Sequence, residues 1–157
     1  MEAERGFDFW LGTWDCSWDG GHGRNVVDRV CDGRVVRERF DAAAHGLIGT
    51  SISVYDAAAA HWVQTWMDSD GSWFHLTGGV HDGAMELLTT TPDAGGHRKR
   101  MRFSGITPDG FRWTWARSRD GRSWQPLWQI DYRRLDGPAA GAYALQHDFP
   151  ASWSRPA

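Results

Sequence analysis

Cysteine is almost missing from this chain: Cys16 and Cys31 are the only two in 157 residues. Two thiols cannot build a disulfide scaffold. If the first turn is centred near Gly21, residue 16 pairs near residue 27 rather than 31, so two free thiols are expected. No apolar run reaches the roughly 18 residues of a membrane span, so no membrane-crossing helix is expected. The first residues, MEAERGFDF, are charged and lack the apolar core of a signal peptide. A cytoplasmic, reducing location follows as the expectation. Charge of one sign is lacking as well. Seventeen basic and twenty acidic residues leave a net −3, and the cluster Arg98-Lys99-Arg100 with Arg102 has no second patch beside it. A nucleic-acid partner is therefore not expected. The seven histidines form no His-x-His or His-x-x-x-His pair, and no Cys-x-x-Cys occurs. No metal site is expected on that basis. Nucleophile elbow, P-loop and dinucleotide fingerprint are all absent. The GGHG run at 20–23 is a turn with no helix after it, and gives no phosphate cradle.

Tryptophan is what the chain has in excess. It numbers eleven, and aromatics make up 13 % of the residues. Three of the tryptophans lie in the stretch 7–18, FDFWLGTWDCSW. On a strand, Trp10, Gly12, Trp14, Cys16 and Trp18 share one side. A helix would also align Trp10, Trp14 and Trp18, but Gly12 and the Gly20-Gly21 break favour a strand.

Asp-Gly pairs begin at residues 19, 32, 70, 82, 109, 120 and 136. Each supplies the positive φ angles of a tight hairpin turn. Other breakers fill the gaps: the 42–46 stretch, Asp56 with its alanines, and PDAGG at 92–96. Turn signals at this spacing predict an antiparallel meander of about ten strands. They fall at 8–18, 24–31, 34–41, 47–55, 61–69, 72–80, 84–91, 98–105, 111–118 and 123–134. The four alanines at 57–60 are enough for a turn, not a stable helix. A meander of this length closes into a barrel, which removes its sheet edges. The fold expected is all-β, an antiparallel up-and-down barrel in one domain, 1–137. Residues 138–157 read as an irregular tail whose Tyr143, Phe149 and Trp153 can fold back over a barrel mouth.

Alternation then assigns faces. In RVVRERFD, charge marks Val35, Arg37, Arg39 and Asp41 as the outer side, leaving Val36, Glu38 and Phe40 inside. Trp62, Gln64, Trp66 and Asp68 form the inward set of the fifth strand. Phe111, Trp113, Trp115 and Arg117 go together, as do Trp124, Trp128, Ile130 and Tyr132. A small barrel either fills itself with side chains or holds one ligand, and so many inward rings favour an apolar or flat ligand. Trp62, Trp66, Trp113, Trp115, Trp128 and Tyr132 are the expected lining, with Gln64 and Arg100 as polar contacts.

Glu38 is the candidate acid, because burial favours a neutral carboxyl suited to proton transfer. It is expected near Gln64 and one or more of Trp66, Trp115 and Trp128. The alternative is an ion pair with an inward arginine such as Arg100 or Arg112. His75, between Phe74 and Leu76, is the second acid–base candidate if it projects inward. His22, His81 and His97 fall in turns and read as exposed.

Gly12-Thr13-Trp14 on the first strand and Arg133-Arg134 on the last resemble the calycin signature of lipocalins and their relatives. The resemblance implies that Trp14 closes one barrel end with an arginine over its ring. FDFWLGTWD, GTSISVYD, WVQTWMDSDG, PDGFRWTWARSRDGRSW and the closing Tyr-Arg-Arg look like a family of small bacterial lipocalin-like proteins. This likeness covers residues 6–134. Nitrobindin-type haem barrels are similar in size and also open on Leu-Gly-x-Trp. Cys16 and Trp18 stand where their run carries two glycines, a departure from the haem pattern. The expected function is binding of a small hydrophobic or aromatic molecule without a cofactor. A cofactor-independent isomerase, cyclase or lyase using Glu38 and His75 is the second expectation, and a haem barrel with His75 as ligand the third. Monomer and homodimer are both left open.

Overall fold

The computed structural model describes residues 3–135. Ten strands follow one another: β1 (Gly12–Trp18), β2 (Gly21–Val30), β3 (Val35–Ala42), β4 (Leu47–Asp56), β5 (His61–Asp68), β6 (Trp73–His81), β7 (Ala84–Thr89), β8 (Arg98–Ser104), β9 (Gly110–Ser118) and β10 (Gln125–Arg134). Each pairs antiparallel with the next, and β10 returns to β1, closing the barrel. This is the all-β up-and-down barrel that the turn spacing predicts. The only helices among the described residues are 3₁₀ turns at Ala3–Arg5, Asp8–Trp10 and Ala43–His45.

The hairpin turns form where the Asp-Gly pairs predict them. Cys31, Asp32 and Gly33 all take positive φ, as do Asp82 and Gly83. The β1–β2 turn is tighter than expected. Trp18 pairs with Gly21, so Cys16 faces Gly23 rather than residue 27. Both thiols are free, Cys16 buried and Cys31 exposed.

One barrel end is closed by the segment that precedes β1. This segment was expected to be strand, and from Asp8 to Trp10 it is a 3₁₀ turn instead. The turn drives Phe7 and Trp10 into the barrel, where both are buried. Phe7 meets the edge of Trp62 at 4.8 Å, and Trp10 meets Phe103 at 5.1 Å. Trp14 lies beneath them, fully buried, its indole N–H donating to the Trp10 carbonyl at 2.8 Å. The Arg134 guanidinium sits 4.1 Å from the Trp14 ring and donates to the carbonyls of Leu11 and Phe9. Gly12, at φ +131°, leaves the space that Arg134 occupies. Of the two candidate arginines, Arg134 therefore covers Trp14, and Arg133 pairs with Asp15 outside.

At β10 the sequence pattern misleads. The strand begins at Gln125, and a bulge between Pro126 and Trp128 shifts its register. Trp124 thereby leaves the inward set, and its ring stacks under Arg100 at 4.3 Å. The expected tail, 138–157 with Tyr143, Phe149 and Trp153, lies outside the described residues.

Candidate binding cavity

The barrel is not packed through its length. A cavity of about 240 Å³ opens toward the end opposite Trp14. That is near the lower edge of the roughly 300–1,000 Å³ of small-molecule sites. Its walls carry Phe40 from β3, Trp66 from β5, Phe74 from β6, Trp113 and Trp115 from β9, and Trp128 from β10. Trp113 and Trp115 lie parallel, 6.2 Å apart, and Trp128 meets Trp113 edge-on at 5.6 Å. Phe40 meets Trp128 edge-on at 6.0 Å. Except for Phe40, these six rings are only half-buried, because their remaining surface faces the cavity and its mouth. Asp68, Asp70 and Ser72 stand at the mouth, where Asp68 accepts the Trp66 indole N–H at 2.8 Å.

Trp66 owes its position to Gly49. The two residues lie on adjacent strands, and a Cβ at Gly49 would overlap the Trp66 ring. Gly49→Val is therefore expected to push the indole into the cavity. Ligand retention should fall at least tenfold while the far-ultraviolet circular dichroism of the barrel stays unchanged. Unaltered retention would show that Trp66 does not bound the binding space.

Glu38 lies on the cavity wall at only 4 % exposure. Alternation in RVVRERFD places it there: Arg37 points outward to Asp28, and Val36 and Phe40 are buried on either side. The Glu38 carboxyl accepts from Asn25 Nδ2 at 2.7 Å and from Ser51 Oγ at 2.6 Å. Asn25 also donates to the Tyr132 hydroxyl at 3.1 Å. Among the described residues no arginine reaches this carboxyl. Arg112 pairs outside with Asp131, and Arg100 lies outside near Glu86. Burial raises the Glu38 pKa to about 7, against the opposing hydrogen bonds of Ser51 and Asn25. Burial also raises the Tyr132 hydroxyl well above its usual range. The group is a carboxyl poised between two protonation states, in contact with a hydrogen-bonding trio and an aromatic space.

The ten residues expected at the site divide by position. Glu38, Trp66, Trp113, Trp115, Trp128 and Tyr132 line the cavity. Trp62 points inward but is sealed in the closed end, donating to the Ala3 carbonyl at 2.9 Å. Gln64 is fully buried and donates to Ser53 at 2.9 Å, outside the cavity lining. Two expectations are corrected. His75 is exposed on the outer face beside Thr65, because Phe74 and Leu76 take the inward positions of β6. Arg100 is outside because Met101 and Phe103 fill the barrel from β8. Asn25, Ser51 and Trp10 were missed. Asn25 shares its face of β2 with buried Val27, an alternation visible in GRNVVDR. Trp10 reaches the cavity only because the 3₁₀ turn carries it there.

Among the described residues, no three His, Cys, Asp or Glu side chains come together as a metal-holding group. No helix among them is long and apolar enough to cross a membrane. A scan against protein-family models finds no match, and a search of curated proteins finds no similar chain.

Proposed function

We propose that the barrel is a receptor for one small, largely apolar or aromatic molecule, held between its tryptophan faces. One observation carries this reading: half-buried indole faces surround an open space with a buried carboxyl on its wall. A barrel selected for stability alone is expected to fill that volume with side chains. At the closed end Phe7, Trp10, Trp14 and Trp62 are almost completely buried, so the open end is the exception within one structure.

A second reading has its own support. A carboxyl with a pKa of about 7 suits general acid–base catalysis near neutral pH. It would act without His75, which lies on the other face of the sheet. The haem reading loses its proposed ligand for the same reason.

Native mass spectrometry of protein purified from its host tests the first reading. A non-covalent adduct, released on denaturation and lost in Gly49→Val, is the expected result. A bare mass, with no change in tryptophan emission on titration with toluene to its solubility limit, would contradict it.

A further inference from the structure

The cavity has a sign. Among the described residues three carboxyl side chains line it, Glu38 on the wall and Asp68 and Asp70 at the mouth, and no lysine, arginine or histidine does. Lys99 shares a face of β8 with Met101, and its ammonium lies 4.8 Å from the Phe74 ring centroid. That contact already sets a cation over one of the cavity's own rings. Aromatic faces attract cations through the ring quadrupole, most strongly for tryptophan and where water is excluded. They give an anion nothing comparable. Among the described residues the buried carboxyl has two neutral donors and no cationic partner, although a buried carboxylate is stable only when paired or neutral. The Trp10 indole N–H, at the inner end of the cavity, is buried without an acceptor among the described residues.

From this arrangement we infer that the cavity selects a small organic cation, an amine on a flat apolar body, with Glu38 as its counter-ion. The inference rests on the cavity being a binding site and adds the charge of the guest. Its ammonium is placed against Glu38 and its body between Trp66 and Trp128. A carboxylate ligand of the same shape would meet Glu38, Asp68 and Asp70 with like charge. The groups facing Glu38 are Cys16 from β1, Asn25 from β2, Ser51 from β4 and Tyr132 from β10. None of these described residues is a cation, so none of them competes with the guest for the carboxylate.

Three probes of nearly equal shape test this on the full chain by calorimetric titration: phenethylamine, 2-phenylethanol and 3-phenylpropanoate. At pH 8 phenethylamine should bind at least tenfold more tightly than either of the others. Its affinity should rise about tenfold from pH 6 to pH 8, as the Glu38 carboxyl ionises. Glu38→Gln should erase the preference for phenethylamine over 2-phenylethanol. Equal or tighter binding of the alcohol or the acid would overturn the charge assignment while leaving the cavity a receptor. A flat pH profile for phenethylamine would remove Glu38 as counter-ion. Absence of binding by all three would overturn the receptor reading itself.

Discussion

Trp14→Ala is expected to cost about 3–5 kcal/mol of folding stability, the usual loss for a truncated core aromatic. The size follows from what meets at that ring. Trp14 is fully buried, packs edge-on against Phe111 at 4.9 Å, and ties the Trp10 carbonyl to β1. It also supports Arg134, which holds the carbonyls of Phe9, Leu11 and Pro108 and so fastens the plugging segment to the barrel. Removing the indole loses packing and frees the guanidinium that closes the end. Arg134→Ala should then add much less in the double variant than alone, because both remove the same contact. Urea unfolding of the four proteins measures the coupling. A loss below about 1 kcal/mol for Trp14→Ala would mean the closed end does not depend on this pair.

Glu38→Gln should stabilise the barrel at pH 8 and do little at pH 4. The Glu38 pKa is raised on folding, from an ordinary value of 4.5 to about 7. Below pH 4.5 the carboxyl is protonated in both folded and unfolded chains and contributes nothing to the pH dependence. Between 4.5 and 7 the unfolded chain releases a proton that the folded chain keeps, so stability falls as pH rises. Above 7 the full penalty applies, roughly 3 kcal/mol for a shift of this size. Glutamine titrates in neither state. Its amide also finds partners, since Asn25 Oδ1 is buried with no donor of its own. Other carboxyl groups contribute equally to both proteins and cancel in the difference. Urea unfolding at pH 4 and pH 8 should show the gap opening with pH. A gap that stays constant, or one favouring the wild type at pH 8, would mean that a cation compensates Glu38. An inward arginine such as Arg100 or Arg112 was one expectation from the sequence, and the structure places both outside.

The fold was legible because its signals are local. Asp-Gly pairs set the turns, and antiparallel pairing needs little more. The faces were legible where charge broke the symmetry. Arg37 and Arg39 mark the outer side of β3, and both reach Asp28 on neighbouring β2. Where both faces of a strand carry an aromatic, alternation loses its contrast. WFHLT offers Trp73 and Thr77 on one side, Phe74 and Leu76 on the other. The structure leaves Trp73 70 % exposed and His75 with it. Arg100 was misplaced although its strand carried the answer, since Met101 and Phe103 already claimed the inside. The partners of Glu38 were not legible. Asn25, Ser51 and Tyr132 come from three strands spread over 108 positions of the chain, and only the closed register assembles them. Trp10 was hidden for another reason: Gly12 ends the extended pattern, and nothing in period two anticipates the turn before it.

Among the described residues, the barrel keeps an open aromatic space around a buried carboxyl that has no cationic partner. Carbon-13 nuclear magnetic resonance of the Glu38 side-chain carboxyl, assigned by its loss in Glu38→Gln, tests this directly. A titration midpoint near pH 7 in the protein without added probe is the predicted result. A midpoint at or below about pH 5, the range of a solvated or ion-paired glutamate, would contradict it.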